Sequence, residues 1–514
     1  MNVTATVVFV VLFVGVAVLG FVAARWRKGD LGLLDEWGLG GRRFGTLVTW
    51  FLLGGDLYTA YTFVAIPALV FGAGAVGFFA LPYTILIYPF AFVVFPKLWS
   101  ISKRHGYVTS ADFINARYGS RMLALAVALT GIMATMPYIA LQLVGIEVVI
   151  GGLGIQTTGW LGDLPLIIAF AILAAYTYTS GLRAPAMIAI VKDILIYITI
   201  GAAMYLIPKQ LGGFGHIFAS IPTAKLLLKA PDAASLNGYS AYATLALGSA
   251  LALFLYPHSV TAILSASSSN SIRRNMAMLP AYSLVLGLLA LLGFMALVAG
   301  VGTMPEFADH FKQYGANFAV PALFLHFFPS WFVGVAFAAI GIGALVPAAI
   351  MSIAAANLYT RNIHKEFFNQ QIDAKRETQV AKTVSLVVKV GALAFILFLP
   401  LTYAVQFQLL GGIWIIQTLP AIVLGLYTRF LDHRGLLAGW AVGIVSGSWM
   451  AISLQLKGSI FAIHVAGLAI PGYAAVWSLL LNIAVAVVVS IAVRAIGMHH
   501  AEDRTRPEDY LDAA

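Results

Sequence analysis

Apolar stretches of about 20 residues recur along the whole chain, and this repetition constrains its fold more than any other feature. A helix needs about 20 such residues to cross a hydrocarbon core of roughly 30 Å. Of the 514 residues, 61% are hydrophobic and only 10% are charged, whereas a soluble domain carries about 25% charged residues. The pattern predicts an all-α integral membrane protein with about thirteen transmembrane helices in one polytopic domain, residues 1–514. The predicted spans are about 4–24, 46–71, 76–99, 121–151, 164–182, 185–208, 241–265, 277–302, 328–359, 383–401, 404–427, 435–455 and 472–494.

The distribution of basic residues predicts how these spans are oriented. The first span has no positive segment before it and is followed by Arg25, Arg27 and Lys28, so we expect it to remain a helix with its N-terminus outside. Most of the 30 Lys and Arg residues then fall in connections that face the cytoplasm, which accounts for the net charge of +10 without a nucleic-acid partner. We therefore expect a multi-pass protein of the plasma (inner) membrane, with a cytoplasmic C-terminus and no obligate protein partner.

Two spans are interrupted at comparable positions. The second span contains GGDLYTAY (54–61), and the seventh contains Tyr256-Pro257-His258. Paired interruptions in two halves of a transporter indicate an inverted repeat, with the binding site where the broken helices meet. The predicted repeats are spans 2–6, about 46–208, and spans 7–11, about 241–427, and spans 1, 12 and 13 are predicted to be peripheral.

Carboxylates inside membrane spans are costly, and their default interpretation is functional. Asp56, beside two glycines that would unwind the helix at Gly54-Gly55, predicts a cation or proton site. Asp193 lies in span 6 next to Lys192. Because adjacent residues point about 100° apart on a helix, we expect no direct pairing between these two, and we expect Lys192 to reach toward the membrane surface. A structural role stays open for both carboxylates: capping of a half-helix for Asp56, and capping or pairing with another group for Asp193.

Polar residues near the interruptions are candidates for binding a substrate. Gln142 lies deep in span 4 and His258 follows Pro257, and each could contact either a substrate or a neighbouring helix. A half-helix beginning at the first interruption would offer backbone N–H groups to an anionic substrate. We expect the substrate-binding residues to be Tyr58, Thr59, Tyr61, Gln142, Tyr256 and His258.

Catalytic and cofactor chemistry is not indicated. The chain has no cysteine, which excludes cysteine-ligated metals. The histidines in the connections are scattered, without metal-ligand spacing. We therefore expect a transporter rather than an enzyme, with no cofactor other than a coupling ion.

Three stretches together resemble the solute:sodium symporter family. They are DEWGLGGR (35–42), TSADFINARYG (109–119) and YTSGLRAP (178–185), the last with Asp193 eight residues further on. The resemblance implies a five-plus-five inverted-repeat (LeuT-like) core that works by alternating access. Within the family the chain looks most similar to the bacterial monocarboxylate permeases. That branch implies symport of pyruvate, lactate and acetate-like acids, driven by a gradient of Na⁺ or H⁺.

The resemblance also implies a cation site between the broken second span and span 9. Aligned without a gap, the family's span-9 motif falls on Gly343, Val346 and Pro347, so that its two hydroxyl positions are Val346 and Pro347, whereas a gapped alignment keeps one hydroxyl, Ser352. An ion site with too few oxygens binds poorly, so Na⁺ coupling and proton coupling through Asp56 both stay open. The resulting cation or proton set is Gly55, Asp56, Asp193, Gly343 and Ser352, with Na⁺, if it is the coupling ion, at Gly55, Tyr58 and Ser352.

Two alternative functions stay open on the sequence. One is a symporter of the same family for another small organic solute. The other is a membrane sensor that uses the transporter fold, against which the absence of kinase or receiver sequence after Arg494 argues.

Overall fold

The computed structural model describes residues 2–26, 29–155, 162–398, 404–498 and 502–511, without the side chains of Asp56, 395–398, Ala404, Val405 and Phe407. Nearly all of these residues are helical apart from one short hairpin. Among them, nine helices are long and apolar enough to cross a membrane, and a tenth span forms if the bent pair Asn237–Leu253 and Pro257–Leu264 is counted as one. The predicted all-helical membrane architecture is confirmed, and the number thirteen stays a prediction.

The α-helices up to the second interruption, within the described ranges, are α1 (Val3–Val22), α2 (Leu34–Leu39), α3 (Thr46–Leu57), α4 (Ile66–Ala73), α5 (Ala80–His105), α6 (Ser110–Tyr118), α7 (Arg121–Gly152), α8 (Leu164–Ser180), α9 (Arg183–Gln210), α10 (Gly213–Ser220), α11 (Thr223–Leu226) and α12 (Asn237–Leu253). Those that follow it are α13 (Pro257–Leu264), α14 (Ser269–Val298), α15 (Ala308–Tyr314), α16 (Ala319–Phe327), α17 (Ser330–Leu358), α18 (Ala374–Phe398), α19 (Ala404–Ile415), α20 (Leu419–Ile422), α21 (His433–Ser453) and α22 (Ala474–Ala495).

Shorter elements join these helices. Strands β1 (Ile460–Val465) and β2 (Leu468–Tyr473) form an antiparallel hairpin in which Ile460 pairs with Tyr473. The π-helical turns are Tyr61–Ala65 and Tyr359–Phe368, and the 3₁₀ turns are Ala23–Arg25, Gly40–Arg42, Gly74–Phe79, Val301–Thr303, Pro305–Phe307, Gly315–Phe318, Ile416–Thr418, Leu424–Leu426 and Pro507–Tyr510.

The helix α17 lies at the centre of the bundle. It packs against α1, α7, α9, α13 and α18, and nearly all of its residues are buried. Small residues such as Gly341, Gly343 and Ala344 let neighbouring backbones approach it closely. The two interrupted spans pack against this helix, so a binding site between the two interruptions would have α17 as one of its walls.

The second interruption follows directly from proline chemistry. Helix α12 ends at Leu253, Tyr256 has extended backbone angles, and α13 begins at Pro257. Proline is favoured at the first position of a helix because it has no N–H to leave unpaired. The two helices are bent by 48°, which confirms the predicted interruption at Tyr256–His258.

The basic face is the end of the bundle that carries Arg42, Arg117 and Arg361, and a network of hydrogen bonds closes it. The guanidinium of Arg42 donates to Asp35 Oδ1 and to the carbonyl oxygens of Tyr107 and Leu264. The last of these carbonyls lies at the end of α13, so Arg42 ties the second broken span to the basic face.

The three stretches quoted from the sequence meet in this network. Trp37 Nε1 donates to the carbonyl oxygens of Thr177 and Tyr178, and Glu36 pairs with Arg183. In the stretch 109–119, Asp112 accepts a hydrogen bond from Asn362 Nδ2 at 2.7 Å. The motifs are therefore parts of one closed layer. A gap behind this layer has a volume of only about 10 Å³ and is lined by Val108, Thr109, Ser110, Pro257, Val260, Thr261, Ala354 and Leu358.

Candidate functional site

The first interruption lies a few residues after the glycine pair rather than at it. Helix α3 continues through Gly54 and Gly55 to Leu57, and the backbone turns extended only at Tyr58. The prediction that the helix unwinds at Gly54-Gly55 is therefore wrong. Both glycines make room for neighbours instead. A Cβ atom on Gly54 would lie 2.5 Å from Tyr282 Cζ, and one on Gly55 would lie 3.1 Å from Lys192 Nζ.

The end of α3 holds the ammonium group of Lys192. The last carbonyls of a helix have no partner within it and carry partial negative charge. Lys192 Nζ donates to Gly55 O at 2.7 Å and to Tyr58 O at 3.0 Å. The side chain of Lys192 is fully buried, with 0% of its surface exposed. The expectation that Lys192 reaches toward the membrane surface is wrong, because the carbonyls of the broken helix hold it inside the bundle.

Asp193 pairs with its sequence neighbour. Its Oδ1 lies 3.2 Å from Lys192 Nζ, and both side chains are fully buried. The prediction that the two residues do not pair is wrong, because the long lysine side chain can turn toward the adjacent carboxylate. The other oxygen, Oδ2, accepts a hydrogen bond from the hydroxyl of Tyr282. Removing either partner of such a buried ion pair would leave the other charge uncompensated, which is strongly destabilising.

Three tyrosines surround this ion pair. The rings of Tyr58 and Tyr282 are stacked with centroids 3.9 Å apart, and Tyr197 meets both rings edge-on. The hydroxyl of Tyr58 donates to the carbonyl oxygen of Tyr282 at 2.6 Å. Tyr58 is therefore packed against α14, and its backbone carbonyl, rather than its hydroxyl, faces Lys192. We call Lys192, Asp193, Tyr58, Tyr197 and Tyr282 the lysine cluster.

The N–H groups that follow the interruption are already bonded within the protein. The N–H of Thr59 donates to Thr62 Oγ1, that of Ala60 to Gln142 Oε1, and that of Tyr61 to Thr59 Oγ1. Gln142 thus anchors the start of the second half of the span from α7. Donors for an anionic substrate would have to come from side chains.

Tyr61 follows directly after the first interruption. The ring of Tyr61 is buried, and among the described residues its hydroxyl has no hydrogen-bond partner. The π-helical turn that begins at Tyr61 packs against α7 and α19, and α7 carries Tyr138. A buried hydroxyl left unpaired is costly, and a bound ligand would remove that cost.

The second interruption contributes Tyr256 and His258 to the same region. The Tyr138 ring meets Tyr256 at 5.3 Å and His258 at 5.4 Å between ring centroids. Tyr256 donates its hydroxyl hydrogen to Gln408 O at 3.0 Å. Residues from both broken spans and from α7 and α19 therefore meet, and we call Tyr61, Tyr138, Tyr256 and His258 the tyrosine cluster.

The two span-9 alignments place different residues of α17 near the cation site, and these residues lie at different distances from the first interruption. A Cβ atom on Gly343 would have Tyr58 O as its nearest neighbour, at 3.9 Å. Ser352 lies nine residues further along α17, which is about 14 Å. Ser352 instead donates to Ala349 O at 2.8 Å and accepts a hydrogen bond from Ser385 Oγ at 3.2 Å. Gly55, Tyr58 and Gly343 are thus brought together, and Ser352 is not.

Asp56 lies in the last turn of α3, but its side chain is outside the described part of the structure. Its role in cation or proton binding stays a prediction. Within the described residues, the sequence analysis missed the roles of Lys192, Tyr282 and Tyr138. A lysine inside an otherwise apolar span was the sequence signal that points to Lys192.

A bundle of membrane-spanning helices, two of them broken and meeting around buried polar groups, is the architecture of a secondary transporter. Residues 37–443 match the model of the sodium:solute symporter family. The chain belongs to this family, as its sequence motifs predicted. The members similar to it are transporters, not enzymes, and the family implies a small-solute substrate and a membrane environment.

Similar proteins agree with this assignment along most of the chain. The monocarboxylate transport permease protein of Rhizobium johnstonii is 54% identical over 499 residues, which cover 96% of this chain and 98% of that protein. The uncharacterized symporter YodF of Bacillus subtilis is 35% identical over 475 residues, covering 87% of this chain and 91% of YodF.

A solved structure has the same fold. It is the substrate-bound outward-open state of a Na⁺-coupled sialic acid symporter, which superimposes with a TM-score of 0.74 and covers 95% of this chain and 98% of that chain. The two chains are only 14% identical, so this likeness concerns the fold alone. The predicted LeuT-like fold is confirmed, while the boundaries of the two repeats stay a prediction.

Proposed function

We propose that this protein is a secondary symporter that takes up small monocarboxylates such as pyruvate, lactate and acetate-like acids by alternating access. Uptake is driven by a cation gradient, Na⁺ or H⁺. The observation that carries the proposal is the tyrosine cluster, where both broken spans meet around buried hydroxyls. The 54% identical monocarboxylate transport permease protein supports the substrate class.

The chemistry of the cluster suits a small organic acid. A carboxylate accepts hydrogen bonds strongly, and a charge-assisted bond to a hydroxyl is about twice as strong as a neutral one. The Tyr61 hydroxyl has no partner among the described residues, and the neighbouring rings of Tyr138 and Tyr256 offer apolar surface to a short carbon chain. We assign the carboxylate to the Tyr61 hydroxyl and the remainder of the acid to the rings of Tyr138 and Tyr256.

The lysine cluster lies at the other side of the same interruption. Tyr58 and Tyr61 are three residues apart, so a change in the backbone at the break moves both clusters together. We propose that Asp56 carries the coupling cation and that Asp193 gates or relays it toward the cytoplasm. Asp56→Asn should abolish accumulation against a gradient, and normal accumulation by this variant would contradict the role of Asp56.

Release to the other side requires the basic face to open. Arg42 holds the end of α13 through Leu264 O, and Asn362 is bonded to Asp112. We propose that these bonds break when the protein faces inward. We also propose that the basic face is cytoplasmic, that the N-terminus is outside and that the protein lies in the plasma (inner) membrane.

Competition for uptake tests the substrate assignment. Proteoliposomes with purified protein should accumulate labelled pyruvate when inward Na⁺ and H⁺ gradients are imposed together, and empty liposomes should not. Unlabelled lactate or acetate should compete, whereas glucose at the same concentration should not. Absence of pyruvate uptake, or competition by glucose alone, would contradict a monocarboxylate substrate.

A further inference from the structure

The oxygen atoms at the end of α3 create a negative electrostatic environment that favours a positive charge. The carbonyl of Gly55 belongs to the last turn of helix α3, which carries partial negative charge, and the carbonyl of Tyr58 comes directly after that helix. The carboxylate of Asp193 adds a full negative charge, and both sets of oxygens lie around one point, the Lys192 nitrogen. In the family that this chain belongs to, these carbonyls match positions implied to bind Na⁺.

Lys192 supplies that charge from within the chain. Among the described residues, its nitrogen has oxygen neighbours at 2.7 Å, 3.0 Å and 3.2 Å, namely Gly55 O, Tyr58 O and Asp193 Oδ1. A sodium ion on the same two carbonyls would lie about 4 Å or less from the ammonium. At an effective dielectric constant of about 20, that repulsion lowers an affinity by on the order of a thousandfold.

The described residues also lack the hydroxyl ligands that the resemblance implies for a sodium ion. Hard cations are held in proteins by sets of oxygens. Beside Tyr58 O, helix α17 presents Gly343. In the ungapped alignment the family's two hydroxyl positions are Val346 and Pro347, and neither has a side-chain oxygen. Ser352, the remaining hydroxyl candidate, is bonded to Ala349 and Ser385 about 14 Å along the helix. The described residues therefore do not fit Na⁺ at this position.

The surroundings are shaped for a lysine. Because Gly55 has no side chain, the ammonium group of Lys192 can approach its backbone. A Cβ atom at Gly55 would lie only 3.1 Å from Lys192 Nζ. Tyr282 fixes the partner carboxylate by donating to Asp193 Oδ2, and Gly54 leaves room for the ring of Tyr282. The glycine pair, the lysine, the aspartate and the tyrosine form one arrangement.

We propose that the ammonium of Lys192 takes the place of a coupling sodium ion at the first interruption, so that transport by this protein does not use Na⁺ there. The transport test of this inference rests on the proposed symport function, whereas its sodium-binding test does not. It leaves the proton as the cation that drives uptake. It also makes Lys192 a positioning residue that holds the two halves of the broken span together.

Sodium binding is tested first, without any substrate. The melting temperature of the purified wild-type protein should be the same in NaCl and in choline chloride of equal ionic strength, from 1 to about 200 mM. A rise in melting temperature that saturates with Na⁺ and is absent with choline would overturn the proposal. Because this assay contains no monocarboxylate, its result stands even where pyruvate uptake fails.

Transport tests the same point with a variant. Replacing all Na⁺ by choline should change proton-driven uptake by wild-type protein less than twofold, and a larger loss would overturn the proposal. Lys192→Met should lower accumulation at least 100-fold, while Lys97→Met, which removes a partly buried lysine of α5, should keep it within threefold of wild type. Wild-type accumulation by Lys192→Met would contradict the role of Lys192. If that variant does not fold, the sodium titration of the wild-type protein decides.

Discussion

The missing side chain of Gly54 accommodates the ring of Tyr282. A Cβ atom on Gly54 would lie 2.5 Å from Cζ and 2.6 Å from Cε2 of that ring, closer than real contacts allow. The ring can therefore stack on Tyr58 and reach Asp193 with its hydroxyl. The absence of a side chain at Gly54 is therefore needed for Tyr282 to hydrogen-bond the ion pair of Lys192 and Asp193.

Gly54→Ala should displace the Tyr282 ring and destabilise the protein by about 1–3 kcal/mol, the usual cost of overpacking. Gly72→Ala is a matched control in the same span, because a Cβ atom there has nothing within 4 Å. Thermal unfolding of both variants in detergent measures the difference. An unchanged melting temperature for Gly54→Ala would contradict the contact with Tyr282.

Tyr61→Phe should weaken substrate binding without weakening the fold. Within the described residues the Tyr61 hydroxyl has no partner, so its removal costs no internal hydrogen bond, whereas a bond to a carboxylate is worth about 1.5–3 kcal/mol. We expect KM for pyruvate to rise about 10- to 100-fold at an unchanged melting temperature.

Tyr176→Phe is the control for this prediction. The Tyr176 hydroxyl is also buried without a partner among the described residues, but it lies in α8, beside Gly20. Its removal should alter neither KM nor stability. Equal effects of the two substitutions on KM would show that Tyr61 does not touch the substrate.

Thr62→Val should loosen the first interruption. Thr62 Oγ1 accepts from the N–H of Thr59 and donates to its carbonyl, each at 2.9 Å. Valine keeps the shape but leaves a buried N–H unpaired, at a cost of about 1–3 kcal/mol. Thr62→Ser keeps the hydroxyl and should lose less than half as much in thermal unfolding. Equal losses would mean that the hydroxyl does not hold the break.

Arg42→Lys should favour opening at the basic face. Lysine cannot make all three contacts that Arg42 makes with Asp35, Tyr107 O and Leu264 O. The chain has no cysteine, so a single Thr261→Cys reporter behind this layer can be labelled with a maleimide. Labelling should be several-fold faster with Arg42→Lys than without it.

Arg43→Lys is the matched control, because Arg43 is partly exposed and pairs with Glu36. Labelling of the reporter in that background should match the wild-type rate. Faster labelling in both backgrounds would mean that general loosening, rather than release of α13, admits the reagent.

Some of this arrangement was predictable from the sequence because it follows from local chemistry. Pro257 lacks an N–H group, and the second interruption falls where that lack predicts it. The family motifs and the apolar stretches predicted the fold. In each of these cases the signal lies within a short stretch of the chain.

Other parts of the site depend on contacts between distant segments. A glycine pair in a helix is compatible with unwinding or with close approach, and only the positions of Tyr282 and Lys192 distinguish these. Lys192 lies 137 residues from Gly55, so no local pattern connects them. Tyr138 stands in an apolar stretch, where an aromatic residue is expected to pack, and its place beside Tyr256 and His258 follows from the tertiary fold.

The most direct test of the central claim is pyruvate uptake by proteoliposomes under one gradient at a time. We predict accumulation under an inward proton gradient in the absence of Na⁺, and none under an inward Na⁺ gradient at equal pH. Accumulation driven by Na⁺ alone would contradict the proposal that Lys192 takes the place of a sodium ion. It would still agree with the proposed symport function. Accumulation under neither gradient, in liposomes that contain folded protein, would contradict a cation-driven monocarboxylate symporter.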